Sequence, residues 1–349
     1  MSKTVKTAVV GASGYSGAQL LRLLLMHPNA QLTGVTSRQY AGDTLSQVFP
    51  RFRGDATADS LTFIEPDIAQ IAASGAEIVF LALPHGVASE FAGSLLKEGL
   101  KVIDLSADFR LHDPAVYEDF YGAPHPDPDL LDIAVYGMPE IHGAEVEKAT
   151  LVASPGCYPT SVILPLVPLL RDGLVDSKSI RVSSMSGVSG AGKSVVLPFL
   201  YAECNESLRA YSVPRHRHLS EIEQELSIAA GETVVISFTT HLVPVTAGIH
   251  TTIYADAAEG SDAKAVAASL EKAYGDAPFV RLLGEGGCPD TKNVVGTNFI
   301  DIGFAHDSRT NRFIILSAED NLGKGAASQA VQSMNRMCGF AETAGLLNY

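Results

Sequence analysis

Cys157 stands in Ser154-Pro155-Gly156-Cys157-Tyr158-Pro159-Thr160, with the apolar run Val162-Ile163-Leu164 close behind it. A Gly-Cys step that ends a strand and opens a helix points the sulfur at the helix N-terminus. Unpaired amides and the helix dipole there favour a thiolate, the reactive form. The spacing predicts a nucleophile; the alternative is a buried, inert thiol, the commoner fate of an unpaired cysteine. Downstream, His216-Arg217-His218 precedes Leu219-Ser220-Glu221-Ile222-Glu223-Gln224-Glu225-Leu226, an amphipathic acidic helix. One imidazole of the pair, acting as base toward Cys157, forms an ion pair with the thiol and moves its proton during turnover. The alternative is two histidines that cap and solvate the helix. A third ligand at metal-binding spacing is not evident, so no metal is expected.

A second constellation lies at the start of the chain. Thr7-Ala8-Val9-Val10 reads as a short strand, and Gly11-Ala12-Ser13-Gly14-Tyr15-Ser16-Gly17 follows it. A helix with Leu20, Leu21, Leu24 and Leu25 on one face comes next, ending at His27-Pro28-Asn29. Gly-x-x-Gly-x-x-Gly between a strand and a helix is a relative of the dinucleotide fingerprint, in the context that motif requires. Gly11, Ser13, Gly14, Tyr15, Ser16 and Gly17 are the expected cofactor contacts, with the pyrophosphate on the helix amides. The next strand, Gln31–Val35, runs into Thr36-Ser37-Arg38. An NAD enzyme usually carries Asp or Glu here for the ribose hydroxyls. Ser37 and Arg38 instead suit a 2′-phosphate, so NADP(H) is expected; Arg38 as a plain surface residue is the alternative.

The elements that position these residues alternate. Strand Glu77–Leu83 delivers Pro84-His85-Gly86, and strand Lys101–Leu105 delivers Ser106-Ala107-Asp108-Phe109-Arg110. The alternation predicts an α/β domain with a Rossmann-type doubly wound parallel sheet, whose ligands sit at the strands' carboxyl ends. Pro84 and His85 are expected to line the cofactor cleft. Arg110 either anchors an anionic substrate or pairs with Asp108. From about Leu151 the strands Ile180–Ser184, Val234–Val245, Ile249–Ala255, Phe299–Phe304 and Phe313–Ser317 dominate, with a helix at Ala263–Tyr274. They predict an α+β domain with a mixed or antiparallel sheet. The expected division is a nucleotide domain over 1–150, with the C-terminal stretch 321–349 packed back on it, and a catalytic and oligomerisation domain over 151–320.

Within the second domain, Ser186-Gly187-Val188-Ser189-Gly190-Ala191-Gly192-Lys193 follows a strand. Gly187 to Ser194 fits the phosphate-loop expression Gly-x-x-x-x-Gly-Lys-Ser/Thr, but in a sheet-rich domain and beside a better nucleotide loop. It reads as a substrate loop.

The 349 residues are 46% hydrophobic and 18% charged, enough for two cores. A net charge of −14 argues against nucleic-acid and polybasic membrane partners. It permits an anionic small substrate held by a few local cations. No signal peptide and no long apolar span is read, and Cys157, Cys204, Cys288 and Cys338 show no Cys-x-x-Cys spacing. The expectation is a cytoplasmic protein with reduced thiols.

A nicotinamide cofactor together with a cysteine nucleophile implies redox chemistry at the aldehyde/acyl level. Here the chain resembles the N-acetyl-gamma-glutamyl-phosphate reductases of arginine biosynthesis over nearly its whole length. The resemblance rests on Gly11–Gly17, Leu83-Pro-His-Gly86, Asp104-Leu-Ser-Ala-Asp-Phe-Arg110, Tyr136-Gly-Met-Pro-Glu140 and Pro155-Gly-Cys-Tyr-Pro-Thr160. It continues through Ser186–Gly192, Asn205-Glu206, His216-Arg-His218 and Asn321-Leu-Gly-Lys324. It implies NADPH-dependent reduction of an N-acetyl-glutamyl 5-phosphate to the semialdehyde, in a homodimer or homotetramer. It also implies Cys157 as nucleophile, His218 as the favoured base and His216 in substrate or phosphate contact. Ser186 is carried over to the substrate loop and Asn321 to the nicotinamide; Arg110, Lys193 and Arg209 are further expected substrate contacts, and Gly187 a further cofactor contact. One departure stands out. Similar proteins usually carry an Arg before the glycine where this chain has Thr246-Ala247-Gly248; Arg110, Lys193, Arg209 or Arg215 would then have to substitute. The rival readings are an aspartate-semialdehyde or aminoadipyl-phosphate type of enzyme, or an NADP(H)-sensing protein without activity.

Overall fold

A computed structural model describes residues 3–193 and 195–347, so Ser194 of the phosphate-loop expression lies outside the described residues. Two compact units divide the chain. One runs to Pro155 and resumes at Ala326; the other spans Gly156–Gly325. The cuts anticipated from the sequence fell at 150/151 and 320/321.

The first unit is built on six strands: β1 (Val5–Val10), β2 (Ala30–Val35), β3 (Ile78–Leu81), β4 (Lys101–Asp104), β5 (Ala134–Tyr136) and β6 (Leu151–Ala153). All pair in parallel, in the order β2-β1-β3-β4-β6-β5. Strands covered on both faces read as unbroken apolar runs, and β3, Ile78-Val79-Phe80-Leu81, is buried at every position. The order reverses between β1 and β3, which sets a crevice at their carboxyl ends. The helix Tyr15–Leu25 leaves β1 through the glycine loop and buries Leu20, Leu21, Leu23 and Leu24. Because β6 completes this sheet, the first unit extends past Leu151 to Pro155.

The second unit carries seven strands: β7 (Arg181–Ser186), β8 (Arg209–Tyr211), β9 (Ser237–Leu242), β10 (Ile249–Asp256), β11 (Val280–Glu285), β12 (Ile300–Asp307) and β13 (Arg312–Glu319). Their order is β11-β12-β13-β10-β7-β9-β8. The sheet is mixed: β11 with β12 and β7 with β9 are parallel, and the other pairs are antiparallel. The helix Cys157–Arg171 packs on β10 and β13, against the helices Leu219–Ala230 and Ala263–Tyr274. Tyr158 through Leu170 are all buried, so this helix is apolar all round and forms the centre of the unit. At about 1.5–3 kcal/mol for each fully buried aliphatic side chain, it is a principal source of the unit's stability. Among the described residues no helix is long and apolar enough to cross a membrane.

Candidate active site

In the first unit the glycine loop has the form a dinucleotide needs. Gly11 has φ +77°, and a Cβ there would lie 2.5 Å from the Ala82 carbonyl oxygen, so only glycine lets β1 turn this close to the β3 exit. Gly14 is the N-cap of the helix Tyr15–Leu25 with no side-chain hydrogen bond to it, which leaves first-turn amides for an anion. Ser37 Oγ donates to Ser13 Oγ at 3.3 Å, tying the loop to the exit of β2. Arg38 is exposed, and no hydrogen bond or ion pair holds its guanidinium among the described residues. These residues fit a dinucleotide. His85 is exposed, with its ring 5.6 Å from that of Tyr121. Asp108 accepts from the amides of Gly86 and Ser89 at 2.6 and 3.0 Å, which fixes the loop that carries Pro84 and His85.

Arg110 is buried in this unit. Its Nε donates to the Ser154 carbonyl at 2.8 Å and a terminal nitrogen to the Leu105 carbonyl at 3.0 Å. It therefore fixes the chain just ahead of Pro155. Asp104, wholly buried beside it, has its carboxyl pushed up to about 7, chiefly by desolvation and against the hydrogen bonds from Ser106.

In the second unit Cys157 opens its helix directly after the N-cap Gly156, which again lacks a side-chain cap. The thiol is half-buried. His218 and Glu221 close over Gly156: a Cβ on this glycine would sit 2.7 Å from His218 Nε2, from His218 Cε1 and from Glu221 Oε1. The Gly156 amide donates to Glu221 Oε2 at 3.1 Å. His218 is the N-cap of the helix Leu219–Ala230 and Glu221 lies in its first turn. A buried carboxylate thus serves two helix N-termini at once. On the other side, a Cβ on Gly325 would come within 2.9 Å of Cys157 Cβ, so Gly325 rests directly on the cysteine.

The two histidines differ. His216 Nδ1 accepts from the His218 amide at 3.1 Å, and burial, helped by the Arg217 charge, drops its pKa to about 4. It stays neutral at physiological pH. Its ring packs at 5.4 Å from Tyr158 and 4.8 Å from His218. Tyr158 and Tyr211 share a hydroxyl–hydroxyl hydrogen bond of 2.7 Å. Burial raises both phenol pKa values, that of Tyr211 to about 12, and the nearby Cys157 charge adds to both.

The loop after β7 is laced to the turn at Thr246-Ala247-Gly248. Gly187 N donates to Gly248 O, Val188 N to Val245 O and Ser189 N to Thr246 O. Asn321 clamps the two segments, accepting from Gly248 N at 2.7 Å and donating to Ser189 Oγ at 2.9 Å. Ser186 is buried and donates to the Gly187 carbonyl. Lys193 is exposed, and Arg209 donates to the Pro198 carbonyl over the Phe199 ring. The structure thus brings Cys157, His216 and His218 into one cluster, while Lys193 lies exposed on a loop and Arg209 opens β8.

Glu221, Tyr158 and Tyr211 were not singled out from the sequence. A signal existed for Glu221, which stands three residues after the N-cap as in a capping box. Its neighbours Glu223 and Glu225 disguise it as part of a solvated acidic face.

Comparison with known proteins agrees with this geometry. Residues 6–149 match the family model "Semialdehyde dehydrogenase, NAD binding domain", and residues 157–321 match "Semialdehyde dehydrogenase, dimerisation domain". An N-acetyl-gamma-glutamyl-phosphate reductase of Akkermansia muciniphila is 59% identical over 344 residues, covering 99% of both chains. One from Geobacter sp. is 50% identical over 345 residues, covering 98% of each. Aspartate semialdehyde dehydrogenase II of Vibrio cholerae, complexed with ASA, shares the fold at TM-score 0.70 and 19% identity over 96% of this chain and 98% of its own. The Candida albicans aspartate semialdehyde dehydrogenase with NADP does so at 0.71 and 15%, over 96% and 99%. With such identity sustained along nearly every residue, the chain belongs to the semialdehyde dehydrogenases, in their N-acetyl-gamma-glutamyl-phosphate reductase branch.

Proposed function

We propose that the protein reduces N-acetyl-glutamyl 5-phosphate to N-acetyl-glutamate 5-semialdehyde, releasing phosphate and using NADPH, as a step of arginine biosynthesis. The observation that carries this is Cys157 at an uncapped helix N-terminus with the His218 ring against the residue before it. The near-full-length relatives supply the substrate by name.

Cys157 Sγ, as thiolate, forms a bond to the acyl carbon while the bond from that carbon to the phosphate oxygen breaks. His218 holds the proton taken from the thiol and gives it to the leaving phosphate. The thioester is a far better hydride acceptor than a carboxylate. A dihydronicotinamide bound at the glycine loop would supply that hydride. The product on the enzyme is a thiohemiacetal oxyanion; its collapse breaks the carbon–sulfur bond, releases the aldehyde and returns the thiolate. One proton from solvent restores the imidazolium. His216, neutral, orients His218 through the backbone.

The preference for NADP(H) over NAD(H) rests on Ser37 and the exposed Arg38 where a carboxylate would select NAD. The dimerisation-domain match supports a homo-oligomer, dimer or tetramer. None of Cys157, Cys204, Cys288 and Cys338 is in a disulfide among the described residues, which supports a reducing, cytoplasmic setting. The test is phosphate-dependent NADP⁺ reduction with N-acetylglutamate semialdehyde. Turnover that requires phosphate and prefers this aldehyde over aspartate semialdehyde supports the reading; equal or greater rates with aspartate semialdehyde overturn it.

A further inference from the structure

Pro165 and Pro168 lie inside the helix Cys157–Arg171. Proline has no N–H, so Pro165 deprives the Ser161 carbonyl of its helical donor and Pro168 deprives that of Leu164. Each carbonyl is instead reached by a hydroxyl from another element. Ser317 Oγ on β13 donates to Ser161 O at 2.6 Å, and the Tyr274 hydroxyl donates to Leu164 O at 2.7 Å.

The Ser161 side chain continues the pattern. It donates to Tyr158 O at 2.8 Å, which spends its only proton. Thr251 must then donate to Ser161 Oγ at 2.7 Å, and Ser184 to Thr251 at 2.8 Å. In the sheet Thr251 lies opposite Ser317 on one side and opposite Ser184 on the other. Ser161, Ser184, Thr251 and Ser317 are wholly buried. A row of hydroxyls across β7, β10 and β13 thus runs, every proton in one direction, into the first turn of the cysteine helix.

We propose that Ser317, with the Ser184–Thr251–Ser161 chain, is a positioning residue for Cys157. This rests on Cys157 being the nucleophile. The break at Pro165 uncouples the first turns from the rest of the helix, so their tilt is set by what holds the Ser161 carbonyl. Ser317 fixes that tilt and with it the direction of the first-turn amides toward Sγ. The directed chain also polarises the Tyr158 carbonyl, which adds to the positive potential at the helix start.

The experiment compares Ser317→Ala, Pro165→Ala, the double variant and Ser317→Thr. It reads kcat, KM and the pH midpoint of iodoacetamide alkylation at Cys157. Ser317→Ala is expected to lower kcat by about tenfold to a hundredfold, the cost of a misplaced reacting group, with KM within about twofold. Its alkylation midpoint moves up as the thiolate loses support. In the double variant the substituted residue's own N–H can reach the Ser161 carbonyl, so kcat and midpoint return toward wild type; Ser317→Thr also restores them. Wild-type kcat and midpoint in Ser317→Ala, or a double variant as impaired as the single one, overturn the proposal. Should Ser317→Ala fail to fold, the double variant is compared with Pro165→Ala: equal kcat and midpoint support the proposal, and a further loss overturns it. A wild-type Cys157 no more reactive than the exposed Cys288 would instead sink the nucleophile reading itself.

Discussion

The backbone N–H of His218 donates to Nδ1 of His216 at 3.1 Å, so the first imidazole is locked as an acceptor while the second faces Gly156. Protonating His216 would break that bond in a buried place. Its folded pKa, about 4, lies below the ordinary 6.5 because of burial and Arg217. The unfolded chain therefore binds more protons between these values. The stability owed to neutral His216 is complete above pH 6.5 and is lost as pH falls toward 4. It amounts to on the order of 3 kcal/mol. Thermal unfolding of wild type and His216→Gln from pH 4 to 7 checks this; the variant should lose less stability on acidification, and parallel curves would contradict it.

The proposed mechanism gives proton transfer to the other imidazole, His218. His218→Asn should lower kcat by about 10²–10⁴, the usual contribution of a general acid–base group. KM for the acyl phosphate should hardly change. Steady-state kinetics in the physiological direction gives both values. A larger kcat loss in His216→Asn than in His218→Asn would reverse the assignment.

Gly325 lies against Cys157, and an added Cβ would approach Cys157 Cβ to 2.9 Å. Such a contact forces backbone to move, since neither neighbour is the far end of a flexible side chain. Gly325→Ala should cost at least about tenfold in kcat through the misplaced thiol. Dinucleotide affinity, measured by fluorescence titration, should stay as in wild type because the glycine loop belongs to the other unit. Loss of both together would mean a general folding defect.

Arg38→Ser removes the exposed guanidinium at the exit of β2. The NADPH dissociation constant should rise about tenfold, the worth of one charge-assisted phosphate contact, with that for NADH unaltered. Titration with both dinucleotides is the check. An equal effect on the two would show that Arg38 does not select the 2′-phosphate.

Much of this was legible in the sequence, and where it was not the cause is physical. The strands β1, β3 and β4 announce themselves by apolar runs that are buried inside the sheet, whereas β5 and β6, three residues each, are too short to carry a pattern. The expected strand Val234–Val245 shrinks to Ser237–Leu242; it ends before Pro244, where the chain turns toward the loop at Gly187. The grouping of Cys157 with His216 and His218 was readable because glycine before cysteine and a histidine pair before a helix have few other uses. Arg110 and Asn321 also hold the fold in a way that no spacing announces. Arg110 donates to the Ser154 and Leu105 carbonyls, and Asn321 joins Gly248 to Ser189. No spacing rule reveals that Ser317 answers for an amide missing at Pro165, since the two are joined only by packing.

The central claim is a covalent acyl group on Cys157. Incubating the enzyme with N-acetyl-glutamyl 5-phosphate and no dinucleotide, then quenching in acid and digesting, isolates the half-reaction, and mass spectrometry of the peptide containing Cys157 reads it. The account predicts an N-acetylglutamyl thioester on that peptide, absent in Cys157→Ser and discharged by NADPH. An unmodified Cys157 peptide from enzyme that still turns over, or turnover retained in Cys157→Ser, would contradict it.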